Sequence, residues 1–319
     1  MIRTRGWALR KLLSRAPALR LAPHPRRFPR GISALARVKN EEEWIEPCLL
    51  SVSDAVDELI VVDNGSTDRT PHILARVAAT LGPKVRLFSR PGLDHVDLSN
   101  FALSQAKYRW VLKWDGDFVA RTTGPHAIGR LRERILGLPE SRHFHVRLTC
   151  IELMGDLWHQ CPGWELRHEP FALVRSPALR FVRVARVLAG PPPGWPRILR
   201  DPRAPFAIRF EDVALPLYYE IAQWPEPYFF HLQVKTPLRM YLRDCWADWA
   251  ENPALQGRFA SLEDYALERA RRAWRVATLQ EAADVYMAGV WELLVPYSVE
   301  RFGEHPHLLT PYLEASRRP

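Results

Sequence analysis

The sequence predicts an α/β fold in which a mostly parallel sheet is flanked by helices and followed by a helical C-terminal region. Apolar runs and helix-like segments alternate four times between residues 31 and 114. This is the order expected of consecutive βα units with right-handed crossovers. Two of the apolar runs stop abruptly at carboxylates. From Thr236 onwards the pattern is helical, with a long segment at about 262–294.

Four apolar runs mark the strands of the predicted sheet. They are Ile32–Val38, residues 59–62, Val85–Ser89 and residues 110–114. The segments between them carry helix signals. Asn40 with Glu43 three residues later is typical of a helix cap, and Thr70 before a proline predicts a helix that runs to Gly82. A third helix is predicted at about 97–107.

The pattern changes after residue 140. Residues 143–151 alternate in the manner of a strand at the edge of a mixed sheet. Residues 160–230 are rich in Trp, Pro and Arg, and residues 191–196 form a clear proline-rich loop. We expect long irregular stretches here, and such stretches inside a compact domain are often functional.

The positive charge of the chain is concentrated at its N-terminus. Residues 1–30 carry nine Arg or Lys and no acid, and the rest of the chain carries 36 basic and 36 acidic residues. The body is therefore neutral, which argues against a nucleic-acid-binding domain. The basic segment, with Trp7 and Leu12 among its cations, fits an amphipathic helix on an anionic membrane surface, a disordered arm, or an organellar transit peptide.

Composition also limits the compartment. No stretch approaches the length of about 18 uncharged apolar residues that a membrane span requires. The four cysteines are scattered and lack metal-site spacing. With no secretory apolar region either, we expect reduced thiols and a cytoplasmic location, with peripheral contact at the inner face of the membrane as an extension.

The two acidic strand ends suggest the chemistry. Asp63 follows Val61-Val62 and opens an Asn-Gly turn, and Asp115-Gly116-Asp117 follows the apolar run at 110–114. Ligands of such sheets bind beyond the carboxyl ends of the strands. On extended backbone Asp115 and Asp117 project from the same side, which suits a hard divalent cation. No glycine-rich dinucleotide motif or P-loop follows any strand.

Taken together, these motifs resemble a family-2 glycosyltransferase. The resemblance rests on residues 32–42 (ISALARVKNEE), residues 61–70 (VVDNGSTDRT), Asn100 with Ala106, and residues 114–117 (WDGD). It covers about residues 31–120 in the right order and spacing. It implies a GT-A (Rossmann-like) fold, with a catalytic domain at 31–235 that binds nucleotide-sugar and acceptor. Residues 1–30 are then a basic arm and residues 236–319 a helical region.

The resemblance assigns the donor site. It implies that Asp63 accepts the N–H of a uracil-like base, whereas its plainer role is to stabilise the turn at 64–65. Asp115 contacts the ribose or a metal-bound water. The other residues that it places along the nucleotide are Arg37, Asn40, Glu41 and Asn100. A helix start explains Asn40 and Glu41 equally well, and helix capping explains Asn100.

The resemblance also implies a metal and a base. Asp117 is the direct ligand of Mg²⁺ or Mn²⁺, assisted by Asp115, and His231 completes the metal shell, a role that suits Mn²⁺ better than Mg²⁺. Inverting transfer needs a carboxylate that takes the proton of the acceptor hydroxyl. Asp212 is the favoured base. Its rivals are Glu165, Glu169 and Asp156.

Together, the motifs and the resemblance predict a function. We expect metal-dependent, inverting transfer of a sugar from a nucleoside diphosphate, UDP being favoured, to a hydroxyl of a sugar or lipid-linked acceptor. Cell-envelope polysaccharide or lipopolysaccharide synthesis would suit the basic arm. The alternative is a catalytically inactive nucleotide-sugar-binding or scaffolding protein of the same fold. A sugar nucleotidyltransferase fits less well, because the loop after Val38 has no glycine.

Overall fold

The computed structural model describes residues 4–168, 171–188, 206–249 and 252–316. In these ranges the strands are β1 (Ile32–Val38), β2 (Glu58–Asp63), β3 (Val85–Ser89), β4 (Trp110–Asp115), β5 (Phe118–Ala120), β6 (His143–Met154), β7 (His159–Gln160), β8 (Leu166–Arg167), β9 (Phe171–Val174), β10 (Arg180–Leu188), β11 (Phe206–Ala214), β12 (Tyr219–Gln233) and β13 (Val295–Pro296). The α-helices are α1 (Thr4–Leu13), α2 (Ile45–Val52), α3 (Thr70–Leu81), α4 (His95–Gln105), α5 (Ile128–Leu136), α6 (Pro237–Trp249), α7 (Pro253–Arg258), α8 (Leu262–Trp274), α9 (Leu279–Trp291), α10 (Val299–Phe302) and α11 (Thr310–Ser316).

The central sheet has the order β3-β2-β1-β4-β9-β6-β12-β5, with β8 added beside β6. Strands β1 to β4 pair in parallel, and β9 lies antiparallel between β4 and β6. Strands β6 and β12 are again parallel to one another. The predicted α/β sheet with flanking helices is confirmed, and so are the four parallel strands that begin it, the first three of which are each followed by a helix.

Both faces of this sheet are covered, which explains its continuous apolar strands. In β1, Ala34 and Ala36 belong to the core under α2 and α3, whereas Leu35 belongs to the core on the α4 side. All three side chains are buried. A strand buried on both faces reads as an unbroken apolar run instead of an alternating one.

Four local predictions are wrong. Residues 143–151 do not lie at an edge of the sheet, because β6 lies between β9 and β12. Asn40 does not cap a helix, because its φ of 56° places it in a left-handed turn and α2 begins at Ile45. The stretch at 160–230 is mostly strand in its described part, not irregular; residues 191–196 lie outside the described residues. The long helix at 262–294 is interrupted, because Arg275 is left-handed and Thr278 caps a new helix.

The C-terminal region is helical, as predicted, and has its own core. Tyr241, Ala270 and Tyr286, from α6, α8 and α9, pack together in it. Beyond α9 the chain returns to the sheet, where Tyr297 and Leu309 join a cluster with strand residues. The segment just before α6 therefore leads directly from the sheet into the helices.

The described part of the N-terminal segment packs against the body. Helix α1 packs on β12, the long strand that crosses the sheet. Among the described residues, no helix combines the length and apolarity needed to cross a membrane. The four cysteines are all buried, and none of them forms a disulfide bond.

Candidate functional site

Three parallel strands end at one edge of the sheet and bring the predicted acids together. The register pairs Val38 of β1 with Asp63 of β2, and Arg37 of β1 with Asp115 of β4. Asp63 and Asp115 therefore flank the end of β1. This is the edge at which ligands bind in parallel α/β sheets.

Asp63 organises the loop that follows it. Its carboxylate accepts the backbone N–H of Ser66 at 3.2 Å and the Ser66 hydroxyl. Gly65 needs its φ of 73°, and a Cβ there would lie 2.9 Å from Pro91. Asp63 remains half-buried at the edge of the sheet. The turn role is thus present, and the carboxylate also borders the space in front of the strands.

The loop after β1 is joined to the loop after β2. The side-chain oxygen of Asn40 accepts the N–H of Thr67 at 2.7 Å, and the N–H of Asn40 donates to the Ser66 hydroxyl at 2.8 Å. The N–H of Glu41 donates to the Thr70 hydroxyl at 2.8 Å. These bonds fix both loops and use the left-handed backbone of Asn40, which Asn tolerates better than most residues.

Asp115 lies between two cations. Its Oδ1 is 2.9 Å from the Arg37 guanidinium, and its Oδ2 is 2.7 Å from Nζ of Lys113. Burial by itself would raise the pKa of Asp115, but Lys113 and Arg37 hold that pKa well below its usual range. Arg37 also donates to the Ser99 hydroxyl at 2.7 Å, which ties β1 to α4.

Asp117 faces a different set of cations. Strand β4 ends at Asp115, and residues 116–117 form a tight turn. The prediction of extended backbone from Asp115 to Asp117 is therefore wrong, since the strand ends at Asp115. A Cβ at Gly116 would lie 3.1 Å from the side chains of Glu41 and Val38, so glycine allows the turn to approach the β1 loop.

The Asp117 carboxylate is buried and paired. Its Oδ2 is 3.1 Å from Nζ of Lys235 and 3.9 Å from Arg243, and its Oδ1 is 3.5 Å from Nε2 of His231. Burial would raise the pKa of Asp117, but Lys235 and His231 hold it well below the ordinary value. An ionised carboxylate in a buried position is the kind of ligand that a divalent cation needs.

His231 is oriented by a second buried acid. It lies on β12 opposite Glu152 of β6, and its Nδ1 is 2.8 Å from the Glu152 carboxylate. Both side chains are almost fully buried. Burial would lower the pKa of His231, but Glu152 and Asp117 raise it to about 10. With Nδ1 held by Glu152, Nε2 lies 3.1 Å from the side-chain amide of Gln233 and 3.5 Å from Asp117.

This donor set fits a divalent metal ion. A histidine that gives one ring nitrogen to a carboxylate and directs the other to the ligand position is the usual arrangement at metal sites. A carboxylate and an imidazole suit Mn²⁺ better than Mg²⁺. His231 also lies in a buried group with Cys150 and Glu152, whose potential ligand atoms are within 4.8 Å of one another.

Glu41 couples the first loop to the C-terminal region. Its carboxylate is 2.7 Å from Nζ of Lys235 and 2.9 Å from the guanidinium of Arg239. Burial and the charge of Asp117 raise the pKa of Glu41, although Lys235 and Arg239 oppose this. Lys235 thus bridges Glu41 and Asp117, and it is almost fully buried in doing so.

Four charged residues of this site were not predicted from the sequence. They are Lys113, Glu152, Lys235 and Arg243. Strand alternation gave a signal for Lys113, because it lies two residues before Asp115 on β4. The other three come from segments far along the chain, and nothing near them in the sequence indicates that they join this site.

The other predicted residues that the structure describes make contacts of their own. Asn100 is used by the fold, because its amide donates to the carbonyl of Phe181 at 3.0 Å and accepts its N–H at 2.8 Å. Asp212 is exposed on the β10–β11 hairpin, where it accepts the N–H of Val213. Glu165 lies beside β6, and its carbonyl accepts the N–H of Glu152. Glu169 lies outside the described residues.

Comparison with known proteins identifies the segment that carries the acids. Residues 33–131 match the family model described as "Glycosyl transferase family 2". A Rickettsia typhi protein described as an uncharacterized glycosyltransferase is 45% identical over 86 residues. That match covers 27% of this chain and 27% of the relative, so the similarity extends over about a quarter of each protein.

Solved structures resemble the chain more loosely. TarS from S. aureus, crystallised with UDP-GlcNAc, is 14% identical over 82% of this chain and 80% of that one, with a TM-score of 0.38. The mannosyltransferase PcManGT from Pyrobaculum calidifontis, in complex with GDP-Man and Mn²⁺, is 16% identical over 97% and 91%, also with a TM-score of 0.38. The functional assignment of this chain therefore rests on the family match and on the residues of the site.

Proposed function

Residues 33–131 form a glycosyl transferase family 2 domain, and we propose that the chain transfers a sugar from a nucleoside diphosphate to an acceptor hydroxyl. The observation that carries this proposal is the pair of acids, Asp63 and Asp115, that flank the end of β1. Beside them the buried Asp117 faces His231. In this proposal Asp63 binds the base, Asp115 the ribose, and Asp117 with His231 the metal, in one crevice at the ends of these strands.

In this proposal the nucleoside lies across the ends of β1, β2 and β4. Asp63 accepts a ring N–H of the base, which a uracil or a guanine supplies, with UDP favoured. Asp115 contacts the ribose, and Arg37 holds that carboxylate in place at 2.9 Å. Lys113 helps to lower the pKa of Asp115, and this keeps the Asp115 carboxylate ionised. The loops joined by Asn40 limit the movement of this wall.

The diphosphate belongs beside Asp117. Asp117 and His231 would hold Mn²⁺ or Mg²⁺, which when bound supplies positive charge for the departing phosphates. Glu152 fixes the orientation of the His231 ring through its 2.8 Å contact with Nδ1. Arg243 is about half exposed at this point, so its guanidinium is available to a phosphate oxygen as well as to Asp117.

Asp212 and Glu165 are the two candidate bases to test first. Asp212, which we favour, lies on the hairpin that Asn100 fastens to α4, the helix bonded to Arg37. Glu165 lies next to β6, where its carbonyl accepts the N–H of Glu152. Inverting transfer requires the base to face the sugar from the side away from the diphosphate. D212N and E165Q, assayed for single-turnover transfer, distinguish them: the variant of the true base loses turnover and keeps donor binding.

Nucleotide binding tests the proposal directly. Thermal unfolding is followed with UDP, GDP, CDP and dTDP, each with and without Mn²⁺. We expect a rise in Tm with one of these nucleotides that requires the metal and disappears in D117A, because a ligand that binds only the folded state stabilises it. D284A, which removes an exposed acid of α9, is the matched control and keeps the rise.

Two results would contradict the proposal. If no diphosphate raises Tm with Mn²⁺ present, the crevice is not a donor site. If D117A keeps the full metal-dependent rise, the metal is bound elsewhere. Binding without transfer to any sugar or lipid-linked acceptor would instead favour the alternative function, a nucleotide-sugar-binding protein without catalysis.

A further inference from the structure

Helix α1 and the turn after it are held on the body by polar contacts. Nη1 of Arg10 donates to the carbonyl of Pro216 at 2.9 Å and lies 3.5 Å from that of Tyr219. Ser14 and Pro17 of the same segment are buried. Hydrogen bonds within residues 10–21 complete the turn, and the N–H of residue 21 donates to the carbonyl of residue 16. The segment is therefore a fixed part of the surface.

Four leucine side chains of this segment are exposed. Leu9 is 48% exposed, Leu12 67%, Leu19 68% and Leu21 78%. Among the large apolar side chains that the structure describes, the three most exposed are in this set. A surface helix ordinarily turns its leucines inwards and its charges outwards. Here Arg10 is directed inwards, whereas Leu9 and Leu12 of the same helix are left in solvent.

Exposed cations lie among these leucines. Lys11, Arg15 and Arg20 are all exposed, and residues 1–30 contain no acid. The remainder of the chain has no net charge. Cations alone would suffice to bind nucleic acid or an acidic peptide, so neither partner accounts for the exposed leucines. Leucine together with Lys and Arg on one surface matches the boundary between anionic headgroups and acyl chains.

We propose that residues 9–21 form a docking surface for an anionic lipid bilayer. The four leucines enter the headgroup boundary, and the three cations contact lipid phosphates. Because α1 packs on β12, the strand that carries His231, the docked surface and the crevice move as one body. The bilayer would thus hold the crevice at a set orientation to the membrane plane. This inference does not depend on the proposed transfer reaction.

Vesicle cosedimentation of the full chain tests it. Vesicles of phosphatidylcholine with phosphatidylglycerol are compared with vesicles of phosphatidylcholine alone. We expect binding to the anionic vesicles at least about tenfold stronger, and falling with added salt. The quadruple variant L9S/L12S/L19S/L21S should lose at least about tenfold of this binding, since each serine removes apolar area that would enter the bilayer. K11E/R15E/R20E should lose the preference for anionic lipid.

The matched control replaces four exposed leucines of the body. L87S/L166S/L217S/L293S alters residues that are 39–55% exposed and leaves residues 9–21 intact, so it should bind vesicles as the unaltered chain does. Equal binding to both kinds of vesicle would overturn the proposal. So would equal losses in the two leucine variants. If the N-terminal variants keep full vesicle binding but abolish self-association measured by ultracentrifugation, the surface is a contact between copies and the proposal is wrong.

Discussion

Breaking the contact between Glu152 and His231 should lower the free energy of unfolding several times more than breaking an exposed ion pair of similar length. Glu152 and His231 are 1% and 4% exposed and lie 2.8 Å apart. Arg134 and Glu226 lie 2.6 Å apart, but both side chains are more than a third exposed. E152A leaves a buried imidazolium short of one partner, and breaking such a pair costs about 3–5 kcal/mol. The exposed pair should contribute about 0–1 kcal/mol.

The assay is urea unfolding of E152A, E152Q and E226A, with the free energy of unfolding extrapolated to water. We expect E152A to lose about 3 kcal/mol or more, E152Q to lose less because an amide oxygen still accepts from Nδ1, and E226A to stay within about 1 kcal/mol of the unaltered chain. Mn²⁺ affinity, measured by electron paramagnetic resonance, should fall about 10–100-fold in E152Q, because the ring of His231 is no longer fixed.

Equal stability losses in E152A and E226A would refute this reasoning, since burial would then make no difference. A second refutation is specific to the site. If E152Q binds Mn²⁺ as tightly as the unaltered chain, which itself binds the ion, Glu152 does not orient a metal ligand.

Three other parts of the fold can be tested by unfolding measurements. Burial lowers the pKa of His143 and His145 to about 4, so the unfolded chain binds more protons than the folded chain below pH 6.5. The free energy of unfolding should therefore fall as the pH drops from about 6.5 to 4, by up to about 3 kcal/mol for each ring. Urea titrations of H143F/H145F should show a weaker dependence of this free energy on pH. A profile unchanged by the double variant would show that other groups cause the loss. R275G should raise the free energy of unfolding by about 0.5–1 kcal/mol, because glycine adopts the φ of 57° between α8 and α9 without strain, and no gain in a urea titration would contradict this. N100A should lower the free energy of unfolding by about 1–3 kcal/mol, because it loses two hydrogen bonds to Phe181, and it should keep the nucleotide-dependent rise in Tm. If that rise is lost and the free energy of unfolding is unchanged, Asn100 contacts the nucleotide instead.

The first half of the fold was readable because parallel strands covered on both faces are continuous apolar runs. Strand β1 was predicted at Ile32–Val38 and β3 at Val85–Ser89, and the structure has the same bounds. The ends of β2 and β4 were placed within one residue, since carboxylates terminate both. The shared edge of Asp63 and Asp115 followed from parallel topology alone.

The rest depended on contacts between distant segments. Glu152 and His231 meet because β6 pairs with β12, and no local pattern predicts that register. Lys235 reaches Asp117 across more than a hundred residues of sequence. The break at Arg275 was also invisible, because a non-glycine residue in a left-handed conformation gives no signal of its own.

The ammonium group of Lys235 has a consequence for any attempt to shorten the protein. A fragment that ends before it would keep Glu41 and Asp117 but lose the cation that lies between them. Two acids already close enough to disturb each other's ionisation would then repel without compensation. Residues 33–131, which match the family model, thus lack the cation that neutralises their acidic motif, and the chain supplies that cation a hundred residues later.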